Sequence, residues 1–118
     1  MRDAKERLRD ILDCIAKIER YQHLSQLELE ANELVQVWFL RHLQIIGEAS
    51  RALPPSIREA SVEIPWSKII GMRNVLVHDY FKIDLNTLWD TMQVDIPKLK
   101  PKIISLLKQL EEVDPGQT

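Results

Sequence analysis

Between positions 73 and 80 the chain reads Arg-Asn-Val-Leu-Val-His-Asp-Tyr, which gathers a guanidinium, an amide, an imidazole, a carboxylate and a phenol into one short stretch. Arg73 offers a fixed charge and a bidentate fork for phosphate oxygens. His78 can move a proton near neutral pH, and at the C-terminus of a helix, where the periodicity puts it, its protonated form is favoured. On an ideal helix Asn74 and His78 share a face, while Arg73 lies about 100° round from Asn74 and reaches that face only through its long side chain. The chemistry such a set suits is metal-free cleavage of RNA. A base takes the proton of the 2'-hydroxyl, an acid protonates the departing 5'-oxygen, and Arg73 stabilises the charged phosphorane. One histidine per chain supplies one proton shuttle, so two chains in a symmetric dimer would supply both. On residue types alone, a capped helix end with a solvated ion pair to Asp79 is the commoner arrangement.

The elements that must position this segment are helical. Leu8, Ile11, Leu12, Ile15 and Ile18 recur at spacings of three and four, which predicts an amphipathic helix from Ala4 to about Tyr21. Ser25 with Glu28 three residues on forms a capping-box pattern for a short helix through Leu27 and Leu29. From Glu33 to Leu53 apolar residues occupy most of the helical circumference, including Leu34, Val37, Trp38, Phe39, Leu43 and Ile46. A helix of that kind is buried on two sides, one by the core and one by a partner subunit. Pro54-Pro55 ends it. The next predicted helix runs from Trp66 to His78, with Gly71 in its middle as a mark of close backbone packing at a cost of about 1 kcal/mol relative to alanine. Asp84 is placed to cap a helix carrying Leu85, Leu88, Trp89 and Met92, and Pro97 and Pro101 divide that helix from a last one built on Ile103, Leu106, Leu107 and Leu110. With no strand alternation or repeat, the expectation is all-α: a single-domain antiparallel bundle of four to five helices over residues 1–118, frayed at 113–118 and homodimeric.

Composition narrows the partners. With 118 residues and 45% apolar content the chain can bury a core without staples. Its net charge of -2 removes the global basic field that carries unspecific nucleic-acid affinity, so any RNA contact is local. Cys14 is the single cysteine, which excludes an internal disulfide and leaves a thiolate zinc site without its second ligand. Charges mixed through Met1 to Asp10 do not resemble a secretory signal, and no apolar run spans a bilayer, so a cytoplasmic location is expected, with no metal and no cofactor.

Other residues have plainer readings. Glu48 on the apolar helix either pairs with Arg73 across the bundle or lies at the surface. Trp38, Trp66 and Trp89 are read as core, Cys14 as a small core residue, and His23 and His42 as surface residues without metal-like companions. Lys98, Lys100, Lys102 and Lys108 read as a solvated helix face rather than a phosphate-tracking stripe.

Nearly the whole chain, from about Lys5 to Leu110, resembles the HepT-like family of HEPN-domain proteins. The resemblance rests on Ile45-Ile46-Gly47-Glu48-Ala49, Leu53-Pro54-Pro55, Ile64-Pro65-Trp66, the run from Gly71 to Phe81, and Asp95-Ile96-Pro97. The family hallmark is an arginine, four to six residues, a histidine and, in the HepT branch, a tyrosine two residues later; Arg73, His78 and Tyr80 match it. The resemblance implies a HEPN-like homodimer, possible higher oligomers, and a metal-independent endoribonuclease site at the dimer cleft, with Arg73 and His78 catalytic and Asn74, Asp79 and Glu48 in support. It further implies a toxin of a type VII toxin-antitoxin pair whose partner, a MntA-like minimal nucleotidyltransferase, transfers AMP from ATP to Tyr80. A competing reading uses the same residues in a non-catalytic nucleotide-binding or scaffold subunit that serves the nucleotidyltransferase.

Overall fold

A computed structural model describes residues 2–78 and 82–113, with residues 73, 75, 77, 78 and 113 described in their backbone only. Helix α1 (Ala4–Glu19) starts where the Asp3 side chain accepts from the Glu6 amide at 2.8 Å, and it buries Leu8, Ile11, Cys14, Ile15 and Ile18 along one stripe. Helix α2 (Gln26–Glu30) opens with the expected reciprocal capping box between Ser25 and Glu28. Helix α3 (Glu33–Arg51) is capped by Asn32, and α4 (Pro55–Ala60) begins on a proline, whose missing amide costs nothing in a first turn. Helix α5 (Trp66–Leu76) leads into a two-residue strand, β1 (Val77–His78), which pairs antiparallel with β2 (Lys82–Ile83). Helix α6 (Leu85–Asp90), capped by Asp84, continues through a π-helical turn, Thr91–Asp95, into α7 (Ile96–Val113).

The long helices pack in the order α7, α1, α3, α5, with the π turn against α7 and α6 beside α2 and α5. Phe39, Leu43 and Ile46 of α3, Leu8, Ile11, Ile15 and Ile18 of α1, Leu76 of α5, and Ile96 and Ile103 of α7 form one continuous core. Polar side chains brace it. Gln22 donates to the carbonyl of Met92 in the π turn while Gln93 donates back to the carbonyl of Gln22, each at 2.7 Å, so the widened turn leaves this carbonyl satisfied. Trp38 is half-buried and ties α3 to α1 by donating its indole N–H to the carbonyl of Lys17 at 3.0 Å. Trp66 is buried and donates to the Ser61 hydroxyl; Trp89 is half-buried against the core. Burial pushes the Cys14 thiol up to about 11, in keeping with a core role.

Several sequence expectations need correction. The helix that was to reach His78 stops at Leu76: Val77 faces Ile83 and His78 faces Lys82 across a ladder, and the Asp84 amide closes the hairpin on the carbonyl of Leu76 at 2.8 Å. Hairpin pairing thus takes over the β-branched end of the segment. Pro97 and Pro101 do not divide two helices, since α7 runs through both. Pro97 falls in the first turn, and the roughly 3 kcal/mol cost of Pro101 is outweighed by burial of Ile96, Leu99, Ile103 and Leu106, worth about 1.5–3 kcal/mol each. The close-packed glycine is Gly47 rather than Gly71. A Cβ on Gly47 would lie 3.3 Å from the carbonyl oxygens of Ile69 and Ile70, whereas one on Gly71 meets no described atom within 4 Å. His42 is buried, not a surface residue: its Nδ1 is 2.7 Å from the carbonyl of Trp38 and its ring lies 4.4 Å from that indole. His23 is exposed, as expected.

Candidate active site

Gly47 sets the distance between the two helices that frame the site. Because it has no side chain, α3 can approach the backbone of α5 at Ile69 and Ile70. Beside that contact opens a cleft of about 220 Å³, with Leu43, Gln44, Gly47, Glu48 and Arg51 from α3 and Ile70 and Asn74 from α5. Its floor is apolar and its rim polar. Asn74 is exposed at this rim, one residue beyond Arg73.

Arg73 sits in α5 three residues before its end, and His78 is the second residue of β1. The ideal-helix argument that put Asn74 and His78 on one face therefore does not apply, because the helical rotation ends at Leu76. What orients the backbone at His78 is the ladder opposite Lys82. The side chains of Arg73 and His78, together with Asp79 and Tyr80, lie outside the described residues, as does the expected pairing of Glu48 with Arg73. Glu48 is exposed, and its carboxylate accepts from the Gln44 amide at 3.1 Å. The cleft brings together Glu48 and Asn74, two of the residues that the sequence singled out.

Gln44 and Arg51 share this cleft and went unnoticed in the sequence. A signal was available: Gln44, Glu48 and Arg51 stand at i, i+4 and i+7 on one helix, hence on one face. The lysines of α7 behave as a solvated face with local ties. Lys100 pairs with Glu19 at 2.8 Å and Lys102 donates to the carbonyl of Glu63 at 3.1 Å. Among the described residues no group of three or more His, Cys, Asp or Glu side chains could hold a metal ion.

The other exposed feature of α3 is apolar. While Val35, Phe39, Leu43 and Ile46 face the core, Leu34 and Val37 stand 84% and 55% exposed. On one chain the helix is thus buried on one side only. Among the described residues no helix is long and apolar enough to cross a membrane.

A mostly helical domain in which α3 and α5 present a polar cleft beside an arginine–histidine segment is the class that fold and site define. Residues 11–106 match the family model described as "Ribonuclease HepT-like". A Thermococcus cleftensis protein named "Probable ribonuclease HepT" is 37% identical over 108 residues, covering 91% of this chain and 98% of the relative. A Methanocaldococcus jannaschii protein named "Putative RNase" is 36% identical over 112 residues, covering 94% of this chain and 97% of its own. A second protein of that organism, named "Gamma-glutamylcyclotransferase and putative RNase", is 35% identical over 112 residues, and there the chain spans only 50% of the relative's length. No solved structure matches the chain. The chain belongs to the HepT-like ribonuclease family.

Proposed function

We propose that this protein is a metal-independent endoribonuclease that acts as the toxin of a toxin-antitoxin pair. The observation that carries this reading is the Arg73, four-residue, His78 spacing inside a chain of the HepT-like family. Arg73 and His78 are the catalytic residues. In the reaction the 2'-oxygen loses its proton to a base and bonds to phosphorus, the bond from phosphorus to the 5'-oxygen breaks, and an acid protonates that leaving oxygen. The products are a 2',3'-cyclic phosphate and a 5'-hydroxyl. Arg73 stabilises the charge that develops on the non-bridging oxygens. Two copies of the chain supply the two proton-transfer groups. Leu34 and Val37, left open on α3, supply an apolar patch for a second copy to cover.

Control follows from Tyr80, two residues beyond His78. A nucleotidyltransferase antitoxin transfers AMP from ATP to the phenol and releases pyrophosphate. The new phosphodiester brings bulk and negative charge next to Arg73, which blocks RNA sterically and electrostatically. Asn74 and Glu48 support the site from the α3–α5 cleft, and Asp79 from the motif itself. The test is cleavage of single-stranded RNA by purified protein with and without EDTA, with His78→Ala as control. The proposal expects EDTA-resistant cleavage that the substitution abolishes. Cleavage that requires added divalent metal, or that persists in His78→Ala, contradicts it.

A further inference from the structure

Arg51 faces the α3–α5 cleft and, among the described residues, takes part in no ion pair and no side-chain hydrogen bond. Its nearest acidic neighbour along the helix face, Glu48, is already occupied by the Gln44 amide at 3.1 Å. Four other described cations are engaged, Arg2 with Asp10, Arg9 with Glu111, Lys68 with Asp95 and Lys100 with Glu19, and what sets Arg51 apart is that it lines the polar cleft beside Asn74. An arginine that faces a polar cleft without an internal partner keeps its whole donor fork for a ligand oxyanion.

The surroundings identify the ligand class. Gln44 and Asn74 place amides, which both donate and accept, on the rim shared with Arg51, and Asn74 directly follows Arg73 in the chain. From Gln44 to Arg51 the helix rises about 10 Å, more than the roughly 3.4 Å of one stacked nucleotide. A cation, two amides and a short apolar floor, extending from the segment that carries the scissile-phosphate arginine, match a nucleic-acid strand rather than a compact metabolite. With a net charge of -2 the protein has no general basic field, so strand affinity must come from such local groups.

We infer that the α3–α5 cleft is a strand subsite for single-stranded RNA, in which Arg51 binds a backbone phosphate adjacent to the one that is cut. Gln44 and Asn74 meet the nucleotide between the two phosphates at its base edge or 2'-hydroxyl. Glu48, which only accepts, favours a base that presents N–H donors and repels a second phosphate, so the strand is held in one register. This subsite rests on the nuclease reading above. Arg51 is a positioning residue: it holds RNA and does not touch the reacting atoms.

The test measures binding of a labelled single-stranded RNA to a His78→Ala background, so that nothing is cut, over a series of salt concentrations. Arg51→Ala on that background is expected to weaken binding about tenfold. The slope of log affinity against log salt should fall in magnitude by about 0.7, the value for one phosphate on a single strand. Arg51→Lys should restore the slope but not the full affinity, since a point charge replaces a fork. In the wild-type background Arg51→Ala should show most of its loss in KM, whereas Arg73→Ala should show its loss in kcat. Unchanged affinity and slope in a protein that still cuts RNA overturn the subsite and leave the nuclease reading standing. RNA bound through Arg51 but never cut by the wild type does the reverse. A shift of Arg51→Ala toward monomer in sedimentation also overturns the subsite, because Arg51 would then be a contact between copies.

Discussion

Replacing Gly47 with alanine probes the contact that creates the cleft, and Gly71→Ala is its internal control. At Gly47 the added methyl would sit 3.3 Å from the carbonyl oxygens of Ile69 and Ile70 and 3.7 Å from the Cα of Ile70. All three are backbone atoms, so no side chain can rotate away and the two helices must separate by a few tenths of an ångström. Two effects oppose each other. Alanine gains about 1 kcal/mol of helix propensity over glycine. Overpacking of a close contact costs about 1–3 kcal/mol. The net expectation is a loss of about 1 kcal/mol, which for a chain of this size lowers Tm by about 4 °C. At Gly71, where no described atom lies within 4 Å, only the propensity term remains, and alanine should stabilise by about 1 kcal/mol. Urea and thermal unfolding of both variants at one protein concentration give the comparison, since Tm of an associating protein depends on concentration. If Gly47→Ala is stabilised as much as Gly71→Ala, the close approach of α3 and α5 is not real and the cleft geometry built on it falls.

The remaining expectations are shorter. Leu34→Asp should convert a dimer to monomer in sedimentation, because a two-fold contact uses each patch twice and the loss of about 3–6 kcal/mol corresponds to a hundredfold or greater rise in Kd; an unchanged dimer would move the interface elsewhere. Cys14, with its thiol pushed up to about 11 by burial, is protonated at pH 8 and should resist a thiol reagent until the protein unfolds; rapid labelling of the native state would contradict its core placement. Glu28 titrates below the usual carboxylate range because the Ser25 backbone N–H and hydroxyl donate to it. A depressed folded value means the capping box contributes above the unfolded pKa and is lost as pH falls through the folded one, so Glu28→Gln should lower stability slightly at neutral pH, match the wild type in acid below the folded value, and thereby flatten the acid limb of the stability profile. Incubation with the nucleotidyltransferase, ATP and magnesium should add one AMP per chain to the wild type and none to Tyr80→Phe in intact-mass analysis; a mass shift that persists in Tyr80→Phe would refute Tyr80 as the acceptor.

What the sequence revealed, and what it concealed, divides along one physical line. Helices α1, α2 and α3 were legible because their signals are local: a periodic stripe from Leu8 to Ile18, a capping box at Ser25 and Glu28, and a proline stop after Leu53. The arginine–histidine segment was legible because its residue types and spacing are local too. The misplaced features all depend on packing or pairing that the helical period does not show. Gly47 and Gly71 look alike as helix glycines, and only the apposition of α3 and α5 shows which one a neighbouring backbone crowds. His42 looked polar and therefore exposed, yet it is buried against Trp38, one turn away on its own helix and held to α1 through its indole. His78 leaves the helical pattern because Lys82 and Ile83 pair back across it. The polar face of Gln44, Glu48 and Arg51 was present as spacing alone, and it acquires meaning only when Asn74 arrives from α5.

The chemistry of the RNA ends is the most direct test of the central claim. A 5'-labelled single-stranded RNA is incubated with the purified wild-type protein in EDTA, alongside the same strand carrying 2'-O-methyl at the cleavage position. Attack by the 2'-oxygen with proton transfer through His78 predicts 2',3'-cyclic phosphate and 5'-hydroxyl ends by mass spectrometry, and no cleavage at the methylated position. Fragments ending in 3'-hydroxyl and 5'-phosphate, or equal cleavage of the methylated strand, would show that another nucleophile breaks the bond and that the roles given to Arg73 and His78 are wrong.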